Sequence, residues 1–175
     1  MDKKLKKQLI DIFVRYLILI LIALPNLYIF YLVFKPLTLY PIYHLLCFFF
    51  DCQLVGSTIS VGCFPIEIID ACVAGSAYYL LLILNLSTPN IKLLKRLKMI
   101  LLAVTSFLAL NLIRIFFLSI LYIHNSPWFD ILHKTFWYLL SIVFVIGIWF
   151  AEVKIFKIKE IPFYTDFLFL KKMFN

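Results

Sequence analysis

The chain has 175 residues, 65% of them hydrophobic and 15% charged, with a mean hydropathy of +1.03. A soluble domain is about half apolar and about a quarter charged, so this composition excludes a disordered tail, a collagen-like repeat and a water-soluble globule. Seventeen Lys and Arg against nine Asp and Glu give a net charge of +8, and only four glycines argue against a glycine-rich phosphate loop.

A membrane-crossing helix needs about 20 apolar residues. The first such stretch is uncharged from Tyr16 to Phe34, with Pro25-Asn26 as an expected kink, and predicts a span over about 9–34. Its basic start resembles a signal peptide, but no small-residue cleavage site follows, so it reads as a retained anchor. Asp11 and Arg15 are spaced for an i,i+4 ion pair near its inner edge. Residues 36–50 are uncharged but short and hold Pro41 and His44, which predicts a separate interfacial or re-entrant helix. Residues 51–70 mix β-branched residues with turn-formers, punctuated by Gly56-Ser57 and Gly62, and predict a small β-hairpin of two or three strands. Further spans are expected over about 68–87, 98–120 and 133–151, followed by a tail over 152–175.

Thirteen cations, in the segments 3–7, 92–98 and 154–172, fall on one side of a four-span arrangement. Lys35 and Lys134 fall on the other. Basic residues mark the cytoplasmic side. The expected fold is therefore an all-α integral membrane protein of one domain, a four-helix bundle with both termini cytoplasmic. The interfacial helix and hairpin would lie outside, between spans one and two. On this reading the charge reports topology, and no nucleic-acid partner is expected.

Within a bilayer the informative residues are those that are costly there. Arg114 lies inside a span, where an arginine either snorkels to an interface or finds partners in the bundle and marks a site. At the helical rise, Cys72 lies about 21 Å above the inner end of its span, Arg114 about 22 Å and His133 about 25 Å. Three helices thus bring a cysteine, an arginine and a histidine to one level near the outer face. A thiolate is a nucleophile that a nearby cation stabilises. Histidine can take the thiol proton and return it to a leaving amine. A buried arginine can hold the oxyanion that forms between these steps. Asp130, three residues before His133, is a candidate orienter of its ring, and Asn111, one turn before Arg114, a candidate partner of the guanidinium or the substrate. His44 and His124 also lie toward the outer side and remain alternative bases. A metal site built on His44, Cys47 and Cys52 fits no standard ligand spacing, and neither metal nor cofactor is expected.

At these residues the chain resembles the exosortase/archaeosortase family of membrane-embedded cysteine transpeptidases. The pattern is a Cys at the outer start of a helix, often Ala-Cys followed by Gly, then Asn-x-x-Arg on the next helix and a His at the start of the one after. Ala71-Cys72-Val73-Ala74-Gly75, Asn111-Leu112-Ile113-Arg114 and His133 match it in order, within a resemblance over about residues 36–150. Two features depart from it: the glycine usually two residues after the cysteine stands three after it, at Gly75, and the chain is short, like the small archaeal forms. The resemblance implies cleavage of C-terminal sorting signals on secreted proteins, each a short motif, a transmembrane helix and a basic tail. Cys72 would form a thioester, and an acceptor, such as a membrane lipid, would release the protein at the cell membrane. Two other readings compete. Cys47, Cys52, Cys63 and Cys72 all fall on the outer side, as in a four-helix thiol–disulfide oxidoreductase, but no Cys-x-x-Cys is present and Arg114 is left without a role. A non-enzymatic scaffold would leave all three residues dispensable.

Overall fold

The computed structural model describes residues 3–174; Met1, Asp2 and Asn175 lie outside the described residues. The first long helix, α1 (Lys3–Ala23), stops two residues before Pro25, and Asn26 and Leu27 take left-handed backbone angles before α2 (Tyr28–Cys47) begins. The expected span over 9–34 is thus two helices, broken at the anticipated Pro25-Asn26. The separate helix expected over 36–50 is corrected as well: Pro36 and Pro41 lie inside α2, which runs on to Cys47. A proline costs a backbone bond and a steric clash inside a helix, but in an apolar bundle neighbouring groups can relieve that cost.

Three short antiparallel strands follow, β1 (Cys52–Val55), β2 (Thr58–Val61) and β3 (Phe64–Glu67), in the order β1-β2-β3. Gly56 and Gly62 open the two tight turns with φ of 64° and 56°, which glycine adopts without a Cβ clash. One face of the sheet is apolar: Ile59 and Val61 pack with Leu39, Ile42 and Leu46 of α2. A sheet of this size is marginal alone, and α2 supplies the surface it rests on.

The span expected over 68–87 is broken too. It consists of one turn, α3 (Asp70–Val73), then α4 (Gly75–Leu86), with Ala74 between them at φ 59°. By contrast α5 (Leu93–Ile123) is one unbroken helix of 31 residues, about 46 Å long. The expected span over 133–151 divides into α6 (Phe129–Thr135), a π-helical turn (Phe136–Leu140) and α7 (Ser141–Ile155), bent by 47°. The C-terminal tail holds a last helix, α8 (Tyr164–Phe174).

By length and composition α2 and α5 can each cross a membrane, and the bent α6–α7 pair becomes a third if counted as one. Leu, Ile, Val and Phe side chains stand exposed along α1, α2, α5 and α7, a surface far more apolar than water-soluble monomers present. Inside, Tyr78 of α4 is fully buried, stacked on Phe34 at 3.9 Å and edge-on to Phe107 at 4.8 Å. Such aromatic pairs contribute about 0.5–1.5 kcal/mol each beyond their area.

The N- and C-terminal helices meet at the end of α4. Arg15 donates to the Leu86 carbonyl at 2.8 Å and pairs with Asp166 of α8 at 3.0 Å, both side chains being buried. Asp11 completes the expected i,i+4 pair with Arg15 at 3.0 Å. Arg96 of α5 donates to the carbonyls of Asn85, Leu86 and Thr88, capping the same helix end. Removing one member of a buried ion pair strands the other, at about 3–5 kcal/mol. Arg15→Leu is therefore expected to destabilise the protein by that order in detergent unfolding, and Arg15→Leu/Asp166→Leu to recover part of the loss.

Candidate active site

The site begins with the break at Ala74. A helix leaves its last carbonyls without partners, and the left-handed residue ends α3 just after Cys72 and Val73. Asn111 of α5 answers both, donating from Nδ2 to the Cys72 carbonyl at 3.0 Å and to the Val73 carbonyl at 3.5 Å. One turn on, Arg114 donates from Nη2 to the same Cys72 carbonyl at 3.2 Å, and from Nη1 to the Ser141 hydroxyl at 3.2 Å. Asn111 thus serves the backbone that carries the cysteine.

Arg114 is 9% exposed, and no carboxylate lies within ion-pair distance of it among the described residues. Two of its five N–H groups are engaged, and Nε is buried without a partner. A buried cation held only by neutral groups is an electrostatic cost that an anion beside it would offset.

Cys72, Arg114 and His133 line one cavity of about 240 Å³, walled by Ile66 to Ile69, by α5 and by Phe129 and Trp137. The same three residues border a smaller void of about 10 Å³, roughly the room of one water. The common level expected from helical rise is thus matched by a common cavity. Cys72 is half-buried, and its N–H donates to the Ile69 carbonyl at 2.9 Å within the α3 turn.

His133 is set by rings rather than by a carboxylate. Its imidazole lies parallel to Phe129 at 5.4 Å and edge-on to Trp137 at 6.0 Å, one turn before and one turn after it. The expected Asp130 orienter is corrected: Asp130 is exposed, lines a different cavity with Leu121, Asn125 and Phe129, and has no hydrogen bond to His133 among the described residues. An i,i+3 spacing puts two residues on one face of a helix, but Asp130, in the first turn of α6, stays exposed to solvent. Neither His44 nor His124 lines the cavity that holds Cys72.

Sequence reasoning missed Ser141. Its hydroxyl accepts from Arg114 and donates to the Phe136 carbonyl at 3.0 Å, which also accepts the Ser141 backbone N–H. A serine in an apolar run with an arginine on the facing helix was the available signal. Ala74 carries no signal of its own, but it stands two residues after the cysteine, where the family pattern places glycine.

Of the other cysteines, Cys63 is exposed and Cys52 is held back. Burial and the adjoining Cys47 thiol push the Cys52 thiol up to about 12.

Comparison with protein-family models, curated proteins and solved structures yields no match to this chain.

A left-handed alanine costs about 1–2 kcal/mol, part of which glycine returns as unfolded-state entropy. Ala74→Gly should therefore raise the unfolding midpoint, whereas Gly75→Ala should lower it, because its Cβ would sit 2.9 Å from Tyr31 Cε1. Separately, Cys63 should be alkylated at neutral pH while Cys52 stays a thiol and reacts only in strong alkali, as peptide-level mass spectrometry reads directly.

Proposed function

We propose that this chain is a membrane-embedded cysteine peptidase or transpeptidase, with Cys72 as nucleophile, His133 as general base and acid, and Arg114 as oxyanion and thiolate clamp. One observation carries the reading: a buried guanidinium without a counter-anion among the described residues grips the backbone of a cysteine and opens on the same cavity as a histidine. In the reaction His133 takes the thiol proton as Sγ attacks a peptide carbonyl, and the negative oxygen forms beside Arg114. The C–N bond breaks, the imidazolium protonates the leaving amine, and a thioester remains on Cys72. An acceptor amine or water then attacks the thioester, gives its proton to His133 and restores the thiol.

The family resemblance extends this to sorting. The substrate is a secreted protein ending in a short motif, an apolar helix and a basic tail, and the acceptor is a membrane lipid. Four crossings of the cell membrane are proposed, with both termini cytoplasmic and the cavity opening outward. Three features support that orientation: α1 and α8 meet beside the Leu86 end of α4, thirteen cations lie in the segments on that side, and Cys72 sits at the other end. The segment Asp70–Leu86 spans 17 residues, about 26 Å along a helix, which nearly matches the hydrocarbon thickness of about 30 Å.

The test is labelling of Cys72 in intact membranes with an impermeant maleimide, in a Cys63→Ser background. Cys72 should react from outside, and more slowly, by about tenfold, in His133→Ala, because imidazole promotes the thiolate. Arg114 also caps α3, so the histidine variant, whose ring makes no hydrogen bond among the described residues, gives the decisive comparison. An unreactive Cys72, or one indifferent to His133, would remove the reading.

A further inference from the structure

Among the described residues β3 pairs on one side only, with β2. The register fixes which of its backbone groups are free. Ile68 donates to the Ser57 carbonyl at 2.9 Å, and Ile66 and Phe64 stand opposite Ile59 and Val61. Hydrogen-bonded pairs alternate along an antiparallel ladder, so residues 64, 66 and 68 face β2, and residues 65, 67 and 69 turn their backbone outward. Pro65 fits this assignment, since it has no N–H to lose at an edge.

The outward series is the Pro65 carbonyl, the Glu67 N–H, the Glu67 carbonyl and the Ile69 N–H. Ile69 continues the extended backbone at φ −82° and ψ 167°, and its carbonyl receives the Cys72 N–H. Pro65, Glu67 and Ile69 all line the cavity that holds Cys72, Arg114 and His133. A proline and a charge are what a protected sheet edge carries, but both N–H donors nearest the cysteine remain. Acceptor, donor, acceptor and donor at strand spacing are complementary to one chemical partner, an extended polypeptide backbone.

We propose that the outer edge of β3, continued through Ile69, is a pairing rail on which an extended segment of the substrate polypeptide adds as a fourth strand, placing its carbonyl at Cys72. This inference rests on the peptidase reading and names how the peptide is held. Backbone pairing supplies the alignment, and the apolar cavity walls of Ile115, Leu118 and Tyr122 receive alternate side chains.

The experiment compares two reagents with one electrophile on the full chain in detergent: acetyl-Val-Ala-Val chloromethyl ketone and chloroacetone. In each the Cys72 sulfur bonds to the methylene, chloride leaves and the thiol proton passes to base, and mass spectrometry reads the adduct. The ratio of the two rates cancels changes in the thiol's own reactivity. The unaltered protein should favour the peptide reagent at least tenfold. Removing one N–H from the rail, in Ile69→Pro or Glu67→Pro, should cut the ratio about fivefold, as for one backbone hydrogen bond. Ile69→Ala keeps the N–H and should keep the ratio within about twofold. The Ile69 φ lies close to the value proline imposes. A peptide reagent N-methylated at alternate positions tests the same bonds on the unaltered protein, where folding is not in question. A ratio unchanged by both proline variants and by N-methylation overturns the rail and leaves the peptidase reading standing. A Cys72 inert to both reagents overturns the two together.

Discussion

A helix end in apolar surroundings cannot leave its carbonyls bare, because no water is there to take them. This constraint organises the molecule twice, at the two ends of the α3–α4 segment. Arg96 closes the Leu86 end and Arg114 the Cys72 end, and both come from α5. They are 18 residues apart, which is five full turns, so they leave α5 on the same side about 27 Å from each other. The buried residues between them, Met99, Ala103, Phe107 and Asn111, form the stripe that packs the two segments together. An unbroken α5 is thus a splint for a broken neighbour, and the Cys72 backbone is held by the same groups that make the break tolerable.

The two arginine clusters differ in how far their charges are met. At the Leu86 end Arg15 has two carboxylates and Arg96 has three carbonyls. At the Cys72 end Arg114 has one carbonyl and one hydroxyl. The first cluster meets its charges with carboxylates and carbonyls and fastens helices from both ends of the chain. The second retains unfilled donor capacity beside a cavity.

The shared cavity of Cys72, Arg114 and His133 was legible in the sequence, because helical rise is nearly independent of side chains and three residue counts put them at one level. The kink at Pro25-Asn26 and the small sheet were legible through their breakers. Pro41 misled for the same reason: proline stops helices in water, yet here α2 continues through it. The breaks at Ala74 and at Phe136–Leu140 contain no proline, and Gly75 beside the first is itself the opening residue of α4. Asp166 could not be paired with Arg15 from spacing, since 151 residues separate them, whereas Asp11 could. Asp130 looked like a partner of His133 only because spacing was the available criterion.

The π-helical turn has a geometric effect beyond the bend. A π turn closes its ring one residue later than an α turn, and one residue of α-helix is 100° of rotation. The face of α6 that carries Phe129 and His133 is therefore out of phase with the face that an uninterrupted α7 would extend. The imidazole lines the cavity through this angular offset together with its flanking rings, so its aim depends on how many residues lie between His133 and Ser141 as well as on Trp137 among them.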